Sequence, residues 1–322
     1  MVDQDQIGTE NENFVLPSVQ LPVRQTYTYA SPIPKVLLES REPCKLGVDE
    51  AGRGPCLGPM VYGICYYPAS RHEEFKQLGF DDSKKLTEEK RVSLAKVIQA
   101  NLDWIGWAVC VIAPQEISTN MFRRPPFNLN EMAHATTMQL VQQVLTSGIN
   151  VTEIFVDPVG PSQSYKAKLS RFFPGIEISV EPHADALYPP VSAASICAKV
   201  TRDQILQNWI WLEPELEGKA SKNFGSGYPS DPNTVKWLDE NEDPFFGFPS
   251  LIRFSWKTIS NRMARSQIEW SEDEDEENEA ATNTKRKRKA TKVQVEEKKP
   301  VLDHHHQGRV YKLLCLESVR NL

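Results

Sequence analysis

The stretch Leu46–Pro59, LGVDEAGRGPCLGP, constrains this chain more than any other. An apolar approach through Leu46 and Val48 runs into two adjacent carboxylates, Asp49 and Glu50, and then into Gly52-Arg53-Gly54-Pro55, where one guanidinium is the only bulky side chain. The pattern reads as a strand that ends in a site. Neighbouring carboxylates repel, so the pair is costly unless a cation lies between them or one takes a proton. A divalent metal meets that need. The glycines can take positive φ and bring backbone close to a ligand, and Arg53 can address a phosphate or sugar from the same turn. For an isolated Asp-Glu pair, a strand and a Gly-Pro turn with solvated acids is the better reading. Two phosphate-loop patterns fail in detail. Gly52-x-Gly54-x-x-x-Gly58 is not G-x-G-x-x-G, no Gly-Lys-Ser/Thr follows, and Pro55 and Pro59 interrupt the helix either motif needs.

A chain of 322 residues fits one α/β domain with tails, and 40% hydrophobic residues supply a sizeable core. No run approaches the roughly 18 apolar residues of a membrane span. The acidic start MVDQDQIGTENENF is unlike a signal or transit peptide, so a soluble intracellular protein is expected. The cysteines include no C-x-x-C pair and read as reduced core thiols. Net charge is −6, and the part between the tails is still slightly acidic. A nucleic-acid partner therefore requires positive charge focused on one face, with some of the acids holding metal.

Along the chain, residues 1–40 carry Pro17, Pro22, Pro32 and Pro34 with no sustained periodicity and read as a disordered arm. Cys44–Asp49, Met60–Tyr67 and Leu102–Ile112 read as strands, with a helix from Thr87 to Ala100 between the last two. A helix capped by Asn128 and answered by Glu131 runs to Ser147 and stops at Gly148. A strand Glu153–Val156, a helix Ser162–Phe173, a strand Glu177–Glu181 and a long helix from about Val191 to Trp211 follow. Strands first, then alternating helices and strands, is the order of a mixed sheet flanked by helices. That gives a catalytic core over 41–212 and a helical, loop-rich extension over 213–270. The acidic run within Glu272–Glu279 and the basic run Lys285–Lys289 make 271–300 a linker, in whose polar continuation His304-His305-His306 reads as composition. The apolar tail within 301–322 has too few residues to bury itself.

Two more carboxylates stand at element ends: Asp157 closes IFVDP, and Asp185 falls between a strand and the long helix. Taken alone, Asp157 reads as a turn residue and Asp185 as a cap. Strands meeting at one sheet edge would gather all four acids, a set suited to two Mg²⁺ ions. Ser195, Lys199 and Arg202 share one helix face, a phosphate stripe if it faces the groove and a solvated face otherwise. Lys84 and Lys85 lie in a loop before a helix, where a surface turn is the plain alternative. Tyr228, in Gly225-Ser226-Gly227-Tyr228-Pro229, is held in a rigid turn where a ring can stack on a base or sugar. His183 suits a structural hydrogen bond better than a general acid.

Together, Asp49-Glu50-Ala51-Gly52-Arg53-Gly54-Pro55, Asp185-Ala186-Leu187-Tyr188, Ser192–Val200 and the Gly-Tyr-Pro turn resemble the type 2 ribonucleases H. Gly58-Pro59-Met60-Val61-Tyr62 is similar to the eukaryotic catalytic chains of that family. The resemblance covers most of 44–260 and implies a ribonuclease H-like α/β fold. It implies an endonuclease that cuts RNA in RNA–DNA hybrids and nicks duplex DNA 5′ of a single embedded ribonucleotide, leaving 3′-hydroxyl and 5′-phosphate ends. It also implies two divalent ions, Mg²⁺ or Mn²⁺. Asp49 would touch both, Asp185 the ion that activates water, and Glu50 and Asp157 the ion facing the leaving oxygen. Gly52, Arg53 and Gly54 would read the 2′-hydroxyl through their backbone, Tyr228 would pack at the ribonucleotide junction, and Lys84, Lys85, Ser195 and Lys199 would contact phosphate. The family further implies a heterotrimer with two non-catalytic subunits, B and C. Gly308–Leu322 and part of the helical region before Trp270 are expected to dock them, because the apolar tail has no core of its own. A nuclear location is expected, with cytoplasmic presence as well, and Lys285–Lys289 reads as an import signal or, equally, as solvated linker.

Overall fold

The computed structural model describes residues 14–80, 86–243 and 246–264. Lys84, Lys85, the linker 271–300 and the tail 301–322 lie outside the described residues. In chain order the elements are β1 Tyr27–Ala30, α1 Lys35–Ser40, β2 Cys44–Ala51, β3 Met60–Pro68, α2 His72–Gln77, α3 Glu88–Ala100, β4 Gly106–Ile112 and α4 Pro114–Phe122. They continue with α5 Leu129–Thr146, β5 Val151–Val156, α6 Ser162–Phe172, β6 Glu177–Val180, α7 Ala184–Leu187, α8 Pro189–Gln207, α9 Pro232–Glu240 and α10 Lys257–Met263.

The strands form one mixed sheet in the order β1-β4-β3-β2-β5-β6. The pairs from β1 to β2 are antiparallel, and β2, β5 and β6 run parallel. The expected mixed sheet flanked by helices is therefore present. Strand alternation sorts β3 between two core layers. Val61, Cys65 and Tyr67 join the layer under α3 and α8, while Met60, Tyr62, Ile64 and Tyr66 join the one under α5 and α6.

Helix α8 is buried along most of its length. Its approach depends on two bare positions in the sheet. A Cβ on Gly47 would lie 2.1 Å from the Pro190 carbonyl carbon, and one on Gly63 would lie 2.5 Å from the Ala194 oxygen. Side chains there would lift α8, and Ser195 and Lys199 with it. The Asn128 cap forms as expected, its Oδ1 accepting from the backbone of Asn130 and Glu131 at 2.9 and 3.1 Å. Glu131 does not answer it. The Glu131 carboxylate pairs with Lys168 at 2.7 Å instead, because a cation on α6 outcompetes a backbone N–H.

One expectation about domain bounds needs correction. Residues 14–40 of the expected disordered arm are folded: Leu16 and Val23 are buried, and β1 pairs with β4. The partners of this segment are distant in sequence. Leu16 N–H donates to Gln204 at 2.8 Å and Ser18 bonds Thr201 at 2.7 Å, so no local periodicity announces them. The extension that begins at 213 packs onto the catalytic core. Trp211, Phe224, Trp237, Leu238 and Ile252 share one hydrophobic cluster with Ala194 and Ala198 of α8. Among the described residues, Cys44, Cys56, Cys65, Cys110 and Cys197 are buried free thiols, and no helix is long and apolar enough to cross a membrane.

Candidate active site

β2 runs through both acids to Ala51, further than its apolar pattern suggests. Successive side chains on a strand point to opposite faces, so Asp49 turns toward α8 and Glu50 toward the other layer. Asp49 is opposite Gly63 and Glu50 opposite Tyr62 on β3. The parallel ladder aligns Val48 with Val156, and Asp157 N–H then donates to Val48 O at 3.2 Å, which puts Asp157 beside Asp49. One strand further out, the chain leaves β6 and forms α7. Ala184 N–H donates to Asp157 Oδ1 at 3.0 Å, tying the helix that carries Asp185 to the second carboxylate. Parallel strands β2, β5 and β6 thus end side by side, next to the switch from parallel to antiparallel pairing, where open α/β sheets hold their ligands.

The acids line or underlie a cleft of about 490 Å³ bounded by Asp49, Glu50, Gly52–Gly54, Arg91, Asp157, Lys199 and Tyr228, among others. Asp185 is 2% exposed and sits beneath this surface. Burial pushes the Asp49 carboxyl up to about 7, and the charge of Asp157 adds to the rise. The Ser195 hydroxyl, Lys199 and the Glu50 N–H, which donates at 2.7 Å, hold it back. Glu50 is raised well above the usual carboxylate range, first by burial, then by Asp49 and Asp157. The site keeps anionic groups together under strain.

The α8 stripe divides by role. Lys199 lines the cleft. Ser195, expected at a phosphate, is fully buried and donates to Asp49. Arg202 is also buried and faces the Gly-Pro loop, where its Nε donates to Pro59 O at 3.1 Å and its Nη2 to Leu57 O at 3.4 Å. A cation that sequence reasoning did not single out completes that work. Arg253, fully buried, donates to the carbonyls of Gly52 at 2.6 Å, Pro55 at 2.9 Å, Gly58 at 2.8 Å and Arg53 at 3.2 Å. Trp256 Nε1 adds a bond to Gly54 O at 3.0 Å. The loop's carbonyls are thereby engaged on its inner side. The signal available was a lone arginine inside the apolar run Phe248–Trp256.

Arg53 is steadied from α5, its Nη2 donating to Asn130 Oδ1 at 2.5 Å. Tyr228 is 49% exposed and lies against the loop, so a Cβ on Gly54 would sit 2.6 Å from its ring. Its turn is fixed by Asp231, which accepts from Ser226 N–H and Oγ at 2.6 Å each. His183 is exposed, with φ 61°, at the start of α7, and serves the turn.

The donor set fits a hard divalent cation. It is all carboxylate, which suits Mg²⁺ or Mn²⁺ over zinc. Burial and mutual charge raise the Asp49 and Glu50 carboxyls together, and a bound cation relieves that repulsion. Among the described residues, no three His, Cys, Asp or Glu side chains form a ready-made ligand cluster. An open arrangement is compatible with Mg²⁺, which keeps several waters and takes one or two carboxylates at a time.

The ribonuclease HII family model matches residues 46–259. The A subunit of Bos taurus ribonuclease H2 is 51% identical, over 72% of this chain and 76% of its own length. Its Homo sapiens counterpart is 50% identical over 71% and 75%. The crystal structure of ribonuclease H2 from Pyrococcus horikoshii is similar with a TM-score of 0.58 and 33% identity, covering 69% of this chain and 98% of that one.

Proposed function

Because this chain belongs to the ribonuclease HII family and is an endoribonuclease of the kind that forms the catalytic subunit of ribonuclease H2, we propose that it hydrolyses RNA in RNA–DNA hybrids and incises duplex DNA 5′ of single embedded ribonucleotides, with two divalent ions. One observation carries this reading. The same cleft has carboxylates on one wall and, on the other, the Gly52–Gly54 backbone with Tyr228 packed against it. A nuclease of broad taste needs the first wall alone. The second suits a sugar, because only ribose offers a hydroxyl that both donates and accepts.

In this reading Asp49 would be shared by both ions, Asp185 would help hold one, and Glu50 and Asp157 the other. Bound there, Mg²⁺ or Mn²⁺ would supply positive charge against the attacking, leaving and phosphoryl oxygens of an in-line displacement. Ser195 favours the ionised form of Asp49 and orients it by its hydrogen bond. Lys199 offers charge to a phosphate in the cleft, Arg253 and Arg202 hold the loop's carbonyls, and Tyr228 covers the sugar junction. Lys84 and Lys85, proposed as phosphate contacts, lie outside the described residues.

We further propose that the chain works with two non-catalytic subunits, docked through the apolar tail within 301–322, and that a chromosomal substrate requires nuclear import through Lys285–Lys289. Deleting the tail should release the partners on co-purification, and alanines at all five basic positions should redistribute the protein. The deciding experiment for the activity is Mg²⁺-dependent nicking of a duplex with one embedded ribonucleotide beside an all-DNA control, with the cut mapped. Cutting only 5′ of the ribonucleotide is expected. Cutting of both duplexes would overturn the sugar-reading role, and cutting of neither would overturn the catalytic one.

A further inference from the structure

On the sheet face away from α8, Glu50 and Tyr62 stand opposite each other across β2 and β3. Such partners keep their Cβ atoms about 5 Å apart on one face. Tyr165 of α6 shares a core cluster with Tyr62, Thr137 is buried on α5 of the same layer, and all three are at most 2% exposed. Tyr62 OH, Tyr165 OH, Thr137 Oγ1 and Glu50 Oε2 are all cut off from solvent, and none makes a hydrogen bond of ordinary geometry. Their electrostatic influence on one another marks them as neighbours. Burial raises both phenols, Glu50 raises each further, and Thr137 draws Tyr165 partly back.

A cluster of buried hydroxyls around an ionisable oxygen is expensive unless something polar joins them. The rings have little freedom to reach water elsewhere. Tyr165 is stacked on His134 at 3.8 Å, and His134 in turn has its Nε2 3.4 Å from Val159 O. The available valences match one water molecule. Two phenols donate to its oxygen, and its hydrogens serve Glu50 Oε2 and Thr137 Oγ1, within the two to four bonds typical of buried water.

We propose that Tyr62, Tyr165 and Thr137 form a hydroxyl seat joined to Glu50 Oε2 through one trapped water, which makes the two phenols positioning residues for that carboxylate. The seat rests on the reading of Glu50 as a metal ligand. It holds the inner oxygen so that the carboxylate presents a fixed orientation to an ion in the cleft, as the supporting shell of a metal site does.

The test uses the full-length chain in its native assembly, with Tyr62→Phe, Tyr165→Phe and the double variant, and measures Mn²⁺ binding without substrate by calorimetry, alongside melting temperature. Each variant removes one oxygen and keeps the ring. Each single change is expected to weaken Mn²⁺ binding by about 10-fold. The double change should add little, because both phenols act through one water, and melting should move only slightly. Single variants that bind Mn²⁺ like the wild type, beside a defective Glu50→Gln, would overturn the seat alone. A Glu50→Gln variant with unchanged Mn²⁺ binding would overturn the metal-ligand reading and, with it, the seat's purpose. Losses that multiply in the double variant would overturn the shared water. High-resolution density decides the last point independently: a water bonded to Glu50 and both phenols supports the proposal, and direct phenol–carboxylate contact overturns it.

Discussion

On the carboxylate wall of the cleft, Asp49 and Asp157 are set by neighbouring strand ends and repel each other, whereas on the loop wall Gly52–Pro59 is pinned by cations and an indole from positions up to 202 residues away. The first wall is rigid in backbone and frustrated in charge. The second has no regular backbone pattern, yet its carbonyls are satisfied. Removing a carboxylate should therefore destroy chemistry while relieving strain, and removing a clamp should loosen the fold together with the chemistry. The two walls differ in the sign of their effect on stability.

The sharpest test of that contrast is Asp49→Asn. Nicking should fall by at least about 1,000-fold, since a group that organises charge in the transition state is lost. The metal-free protein should melt at a higher temperature than the wild type. A variant that loses activity and also stability would place Asp49 with the clamps. Next comes Arg253→Met. It leaves several loop carbonyls without a donor, and unfolding stability should drop by roughly 3–5 kcal/mol. Chemical denaturation measures this. Turnover at embedded ribonucleotides should fall while Mn²⁺ binding to the folded fraction persists.

The acid wall was legible in the sequence because its residues sit where a pattern breaks. Asp49 and Glu50 interrupt an apolar strand before glycine, Asp157 ends a strand before proline, and Asp185 precedes a helix that opens with Pro189 and Pro190. Alternation and capping also gave β3, α3 and α5 nearly to the residue. The loop wall was not legible. Arg253 looks like any arginine until the chain returns to Gly52, and Arg202 reads equally well as a phosphate contact until Pro59 O is found against it. The same applies to β1 and Leu16, whose partners lie on β4 and α8. Local patterns encode what the backbone does by itself and omit what distant side chains impose on it.

A third comparison uses pH. In the folded, metal-free protein the Asp49 pKa is about 7, against about 4 for an ordinary carboxylate. Between those values the native state binds more protons than the unfolded state, so stability is highest at the acid end and declines as pH rises toward 7. Melting curves in chelator should follow that slope. Saturating Mg²⁺ should flatten it by binding the ionised form, and Asp49→Asn should flatten it without metal. A metal-free melting temperature that is level across this window would remove the strain from the carboxylate wall.

The smallest effect is expected at the rim of the loop wall, where Tyr228 meets solvent. Tyr228→Ala should weaken binding of the ribonucleotide duplex by about 1–3 kcal/mol, the range for one aromatic stacked on a nucleotide, while Tyr228→Phe keeps most of it. Asp231 supports that ring only indirectly. Its carboxylate, drawn down to about 2 chiefly by the Ser226 hydroxyl and N–H, is partly exposed and holds the turn as long as it is ionised. Because its pKa is depressed, the support is present above the ordinary carboxylate value and fades only as pH falls through about 2. Asp231→Ala should therefore raise KM a few-fold at neutral pH with kcat nearly unchanged, since the ring is kept and only its orientation is freed. An equal loss in kcat would mean that the turn reaches the reacting phosphate, joining the rim of one wall to the chemistry of the other.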